Sequence, residues 1–133
     1  MHTPVLGFHS IMRWMILALG SLAVFSAFTQ GAAARRRVLP FVIALDLQLI
    51  AGALLWLVLS PITRGLSAAA LRVPETRYFA VEHPLLALVA VGLAHAGNAL
   101  LARGRARRAA LLLAAALLAV LAAVPWARPM FRT

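Results

Sequence analysis

The chain has 133 residues, 64% of them hydrophobic and only 12% charged, and its net charge of +10 is carried by thirteen arginines and no lysine. That balance excludes a soluble globular domain and places the sequence among integral membrane proteins. The absence of cysteine excludes disulfides, thiolate metal sites and thiol-ligated iron–sulfur clusters, and leaves the redox compartment open.

The arginines do not form the single patch that nucleic-acid binding requires. Arg35, Arg36 and Arg37 fill one short gap between apolar stretches, and Arg103, Arg105, Arg107 and Arg108 fill another. Such gaps are where membrane proteins carry their topology signals, so no nucleic-acid partner is expected. A bilayer core about 30 Å thick takes roughly 20 apolar residues per helical crossing, and four such stretches can be cut from the sequence. The expectation is one all-α domain over 1–133, an integral membrane up-down-up-down four-helix bundle. Its partners are the lipid bilayer and other membrane subunits.

In chain order, the first helix is predicted over 8–29, with Gly31 placed where a left-handed cap favours glycine. It reads as a retained helix and not a signal peptide, because the positive charge follows the apolar run instead of preceding it. His2 precedes this helix and is given no role. The second helix is predicted over 38–59, with Pro40 in its first turn and Ser60-Pro61 as its stop. Residues 62–73 make the only long loop.

Pro74 and Glu75 open a third helix that suits proline at its start and an acid near its positive end. It runs to about residue 102, longer than one crossing needs, so it tilts or its first turns lie among headgroups. Pro84 should kink it by removing a backbone donor. The fourth helix, predicted over 109–127, ends at Pro125 and an interfacial Trp126. No polar side chain interrupts it between Arg108 and Arg128, so it reads as a wall facing lipid or another subunit. The arginines of the two short gaps, set against Arg64, Arg72 and Arg77 in the longer loop, place the short gaps in the cytoplasm and both termini outside. Arg13, Arg128 and Arg132 narrow that margin.

Ionisable side chains within membrane helices are costly, so each is a functional candidate by default. Helices 1 and 3 run parallel and diagonal in an up-down bundle, which sets His9 and His83 at similar height near the outer face. Two imidazoles facing across a bundle core provide the axial positions of a six-coordinate b-type haem. Arg13, one turn from His9, and Arg77 offer guanidinium groups for the propionates. Glu82 either pairs with an arginine or accepts the second ring N–H of a ligating histidine. Ala87, Ala90, Ala94 and Gly97 continue the His83 face with small residues that admit a flat ring or, more commonly, another helix. Beside the ligand reading stand the plain ones: interfacial histidines bonded to Glu82 or to headgroups, and an Arg13 reaching for phosphates.

A second polar level groups Asp46 and Gln48 with His95 and Asn98, and with Gly20 and Ser21 nearby. Asp46 and Gln48 point about 200° apart around their helix, so only one can face His95. A proton relay or quinone contact needs such a pair, and so does a simple bond locking helix 2 to helix 3. His95 as a ligand to a second haem lacks a suitably placed partner. Hydrolytic and phosphoryl-transfer motifs are absent, so independent catalytic activity is not expected.

Phe8-His9-Ser10 followed by Arg13-Trp14, Gln48-x3-Gly52, Arg77-x4-Glu82-His83-Pro84 and the Pro125-Trp126 ending together resemble small bacterial four-helix membrane proteins labelled cytochrome b-like. The resemblance spans most of the chain. It implies haem b held by His9 and His83, electron transfer within a larger respiratory or photosynthetic complex, and residence in the bacterial inner membrane. Two other functions compete with it. One is a cofactor-free accessory subunit that packs its fourth helix and basic gaps against a larger complex or anionic lipid. The other is a proton- or small-solute-conducting bundle using Asp46 and His95, without the broken inverted repeats usual in transporters.

Overall fold

The computed structural model describes residues 2–126, and these are helical almost throughout, with no strand among them. Three helical runs, Pro4–Leu59, Pro74–Ala102 and Ala106–Ala123, are long and apolar enough to cross a membrane. The first of them folds back on itself.

Helix α1 covers His2–Gln30. It starts at His2 and not at residue 8, because Pro4 falls in the first turn, where a missing N–H leaves no intrahelical bond unmade. Gly31 follows with φ +59°, the left-handed conformation expected of it. One 3-10 turn, Gly31–Ala34, leads directly into α2 at Arg35–Leu54, so the three arginines lie inside the helix and not ahead of it.

Beyond Leu54 the chain continues as a widened π turn, Leu55–Leu59, and stops at an extended Ser60 before Pro61, as the Ser-Pro pair predicts. The short turn Pro61–Arg64 then serves the end it follows. The Thr63 hydroxyl donates to the Trp56 carbonyl at 2.6 Å and the Arg64 guanidinium donates to the Val58 carbonyl at 2.8 Å. Both carbonyls belong to a helix terminus that has no partners of its own.

Helix α3, Pro74–Ala102, carries a π turn at Tyr78–Glu82 on the N-terminal side of Pro84, the residue at which a kink is expected from the sequence. Proline has no N–H to return to the Ala80 carbonyl. The Trp56 indole N–H donates to that carbonyl from α2 at 3.0 Å. A break in one helix thereby becomes a tie to its neighbour.

Gly104, with φ +71°, turns the chain into α4, Ala106–Ala123. This helix ends at Ala123 and not at residue 127, because Pro125 holds Val124 in an extended conformation. Residue 127, Arg128 and Arg132 lie outside the described residues.

Neighbouring helices pack in sequence, α1 on α2, α2 on α3 and α3 on α4, and α4 returns to α1. Gly20 of α1 faces both Phe41 of α2 and Leu117 of α4, Gly97 of α3 faces Ala109 and Leu113 of α4, and Gly31 lies against Ala106. Both glycine turns therefore sit at one end with most of the arginines. The start of α1, the loop after α2 and the end of α4 sit at the other. Ile16, Val38, Phe41, Leu101 and Leu113 fill the core among many alanines. The small residues on the His83 face admit a helix: Ala90, Ala94 and Gly97 are buried, and a Cβ on Gly97 would lie 2.9 Å from Leu113 Cγ.

Candidate functional site

At the loop end, His9 of α1 and His83 of α3 reach toward each other across the diagonal of the helix ring. Their ring centres are 6.0 Å apart with the planes at 66°. Two imidazoles on opposite sides of one metal ion, with bonds of about 2.0 Å, have centres roughly 6 Å apart. An edge-to-face contact between two rings also falls in this range.

The partners of each ring narrow the chemistry. His83 Nδ1 lies 2.8 Å from the Ala123 carbonyl. A carbonyl only accepts, so Nδ1 carries the proton and Nε2 carries the lone pair. Ala123 ends α4, and the Tyr78 hydroxyl donates to the same oxygen at 2.7 Å. His83 therefore caps a helix and is set in the tautomer of a ligand by one bond. Tyr78 and Phe79 wall its ring, with centres at 5.9 and 6.0 Å.

His9 is held from α2. The Gln48 side-chain amide donates to the His9 backbone carbonyl at 3.0 Å, and Gly52 lies one turn further on. A Cβ on Gly52 would come within 3.2 Å of His9 Cε1, so the ring rests against bare backbone. His9 Nδ1 and Gln48 Oε1 are both buried without a hydrogen-bond partner among the described residues, as is Trp14 Nε1. An imidazole nitrogen and an amide oxygen, both buried without partners on the His9 side of the ring pair, mark a place where a further polar group could bond. The Arg13 guanidinium stacks over Trp14 at 5.3 Å, and its charge acts on both His9 and His83.

The other expected site residues fall elsewhere. Arg77 and Glu82 pair with each other, Nε to Oε1 at 2.7 Å, on an exposed face. Of the two roles open to Glu82, the structure shows the arginine partner, and the Ala123 carbonyl takes the place beside His83. Asp46, Gln48, His95 and Asn98 do not form one cluster. Asp46 accepts from His95 Nε2 at 2.9 and 3.2 Å, whereas Gln48 points to α1 at the level of His9. Asn98 Oδ1 is buried with no partner among the described residues. The 200° between Asp46 and Gln48 separates them, and the helix presents one to each neighbour. Ser21 bonds within its own helix, to the Leu17 carbonyl at 2.8 Å.

Gly52 and the Ala123 carbonyl were not legible as site components. A carbonyl carries no sequence signal, whereas the orphan carbonyl left by Pro84 could have been anticipated from the proline alone. Among the described residues no three His, Asp or Glu side chains converge on one point. Two imidazoles supply only an axial pair, so a metal held here must bring its own equatorial ligands, which is what a porphyrin does. The residues present fit such a group. Compared with known protein families, with characterised proteins and with solved structures, the chain matches none.

Proposed function

We propose that this chain is an up-down-up-down four-helix bundle of the bacterial inner membrane that binds one b-type haem between His9 and His83. In this reading it passes electrons within a larger respiratory or photosynthetic assembly. The opposed ring pair on diagonal helices, with His83 fixed as a ligand tautomer by Ala123, carries the proposal. A bound haem would supply one-electron redox chemistry. The chain's own residues would position it: Gln48 and Gly52 seat His9, and Arg13 would pair with a propionate, whereas Arg77 is held by Glu82 on an exposed face away from the ring pair.

The test is a reduced-minus-oxidised absorption spectrum of the protein expressed with haem supply and purified in mild detergent. A six-coordinate b-type spectrum is expected, lost in both His9→Ala and His83→Ala. A well-folded protein without a Soret band would overturn the proposal.

The cofactor-free accessory subunit has its own supporting observation. His83 already caps α4 and touches His9 edge-on, so both rings have structural work without a ligand. It predicts a featureless spectrum with unchanged assembly into a larger complex in the same two variants. The conducting bundle draws less support, because the Asp46–His95 side chains are about half exposed and so do not lie on an enclosed interior path.

A further inference from the structure

Asp46 sits about 16 Å along α2 from Arg35, at ~1.5 Å per residue, near the middle of the helix. There it pairs with His95 of α3 at 2.9 Å, yet the two side chains are 40% and 52% exposed. In water an exposed pair of this kind is worth little and needs no explanation. In hydrocarbon it is costly, because each lone pair and N–H without a partner loses several kcal/mol of solvation. The contact engages His95 Nε2 and leaves Nδ1 open, and the carboxylate retains further acceptor sites. Ionisable groups at this depth normally face protein.

The surface around the pair is shaped for close approach. Leu85, Leu88, Gly92, Ala96 and Ala99 share the outward side of α3 with His95, and all are exposed. A Cβ on Gly92 would meet nothing within 4 Å. Small residues at this spacing let two helix backbones come together in a bilayer.

We infer that this face binds a second copy of the same chain, with Asp46 and His95 of each copy exchanging hydrogen bonds across a two-fold axis. Charge complementarity selects this occupant. Each copy offers one carboxylate and one imidazole side by side, and a two-fold rotation brings donor to acceptor twice. A neutral lipid chain satisfies none of these groups. The inference rests on membrane residence and not on the haem.

The chain has no cysteine, so single introduced cysteines report the interface without background. Ala96→Cys and Leu118→Cys, the latter on the exposed side of α4, are expressed separately and mildly oxidised in native membranes. Carbonate extraction of the same membranes reads membrane residence independently. Ala96→Cys is expected to give a disulfide-linked dimer and Leu118→Cys only monomer. Adding Asp46→Leu with His95→Leu, or Gly92→Ile, to Ala96→Cys is expected to abolish the dimer while the chain stays in the carbonate-resistant fraction. Equal cross-linking from both positions would overturn the inference. So would a dimer that survives both sets of added substitutions, or a product at the mass of a different protein.

Discussion

At the scale of single residues, the chain shows how a deleted hydrogen bond is reused. Pro84 cannot bond back to Ala80, and the Trp56 indole does so from the neighbouring helix at 3.0 Å. Trp56→Phe keeps the apolar bulk and removes the donor. It should cost about 1 kcal/mol, the usual worth of an interhelical bond in a bilayer. In a Pro84→Ala background, where residue 84 again has an N–H for Ala80, the same change should cost measurably less. Unfolding titrations in mixed micelles over all four combinations would show this coupling. Equal costs in both backgrounds would refute it. The pairing of Asp46 with His95, and not of Gln48 with His95, belongs to this scale as well. Their 200° separation was legible, but the choice between them was not. Each helix is apolar around most of its circumference, so no hydrophobic stripe sets its rotation.

Among the helices, packing is carried by the small residues. Gly97 lets α3 lie against α4 so closely that a Cβ would sit 2.9 Å from Leu113 Cγ and 3.3 Å from the Ala109 carbonyl. The carbonyl is backbone and cannot rotate away. Gly97→Ala should therefore destabilise the protein by about 1–3 kcal/mol, as overpacking does, despite alanine's better helix propensity. Gly65, which follows the Pro61–Arg64 turn at φ −104° with nothing within 4 Å of an added Cβ, is the internal control. Gly65→Ala should be neutral or stabilising by up to about 1 kcal/mol. Thermal or denaturant unfolding of the two variants side by side would decide this, and equal destabilisation would refute the close α3–α4 approach. The turns were more legible than the contacts. Gly31 takes the left-handed conformation its position suggested, because that conformation is a local property of the backbone.

For the whole molecule, the distribution of charge sets the expected orientation. Arg35, Arg36, Arg37, Arg103, Arg105, Arg107 and Arg108 are all exposed at the end that holds the two glycine turns. Arg64, Arg72 and Arg77 are at the other. With the chain in the inner membrane, the richer end should face the cytoplasm. A C-terminal fusion to alkaline phosphatase should then be active and a fusion to a cytoplasmic fluorescent reporter dark, and the reverse pattern would invert the topology. The haem spectrum and the cysteine cross-links test separate surfaces, one inside the helix ring and one outside it. Either can fail without the other.

The helical class, the apolar runs, the turn at Gly31 and the segregation of arginine could be read from the sequence alone. All of these follow from composition and from constraints spanning a few residues. The sequence also placed His9 and His83 at one height, since counting residues along parallel helices sets height. What the histidines touch is visible only in the packed chain: the Ala123 carbonyl for His83, and the Gln48 amide and bare Gly52 backbone for His9. Tertiary packing alone chose Asp46 over Gln48 as the partner of His95 and turned that pair outward. These choices depend on rotation about helix axes. In a chain apolar on nearly every face, rotation is set by where small residues allow contact and where scattered polar groups find partners, which no local stretch of sequence specifies.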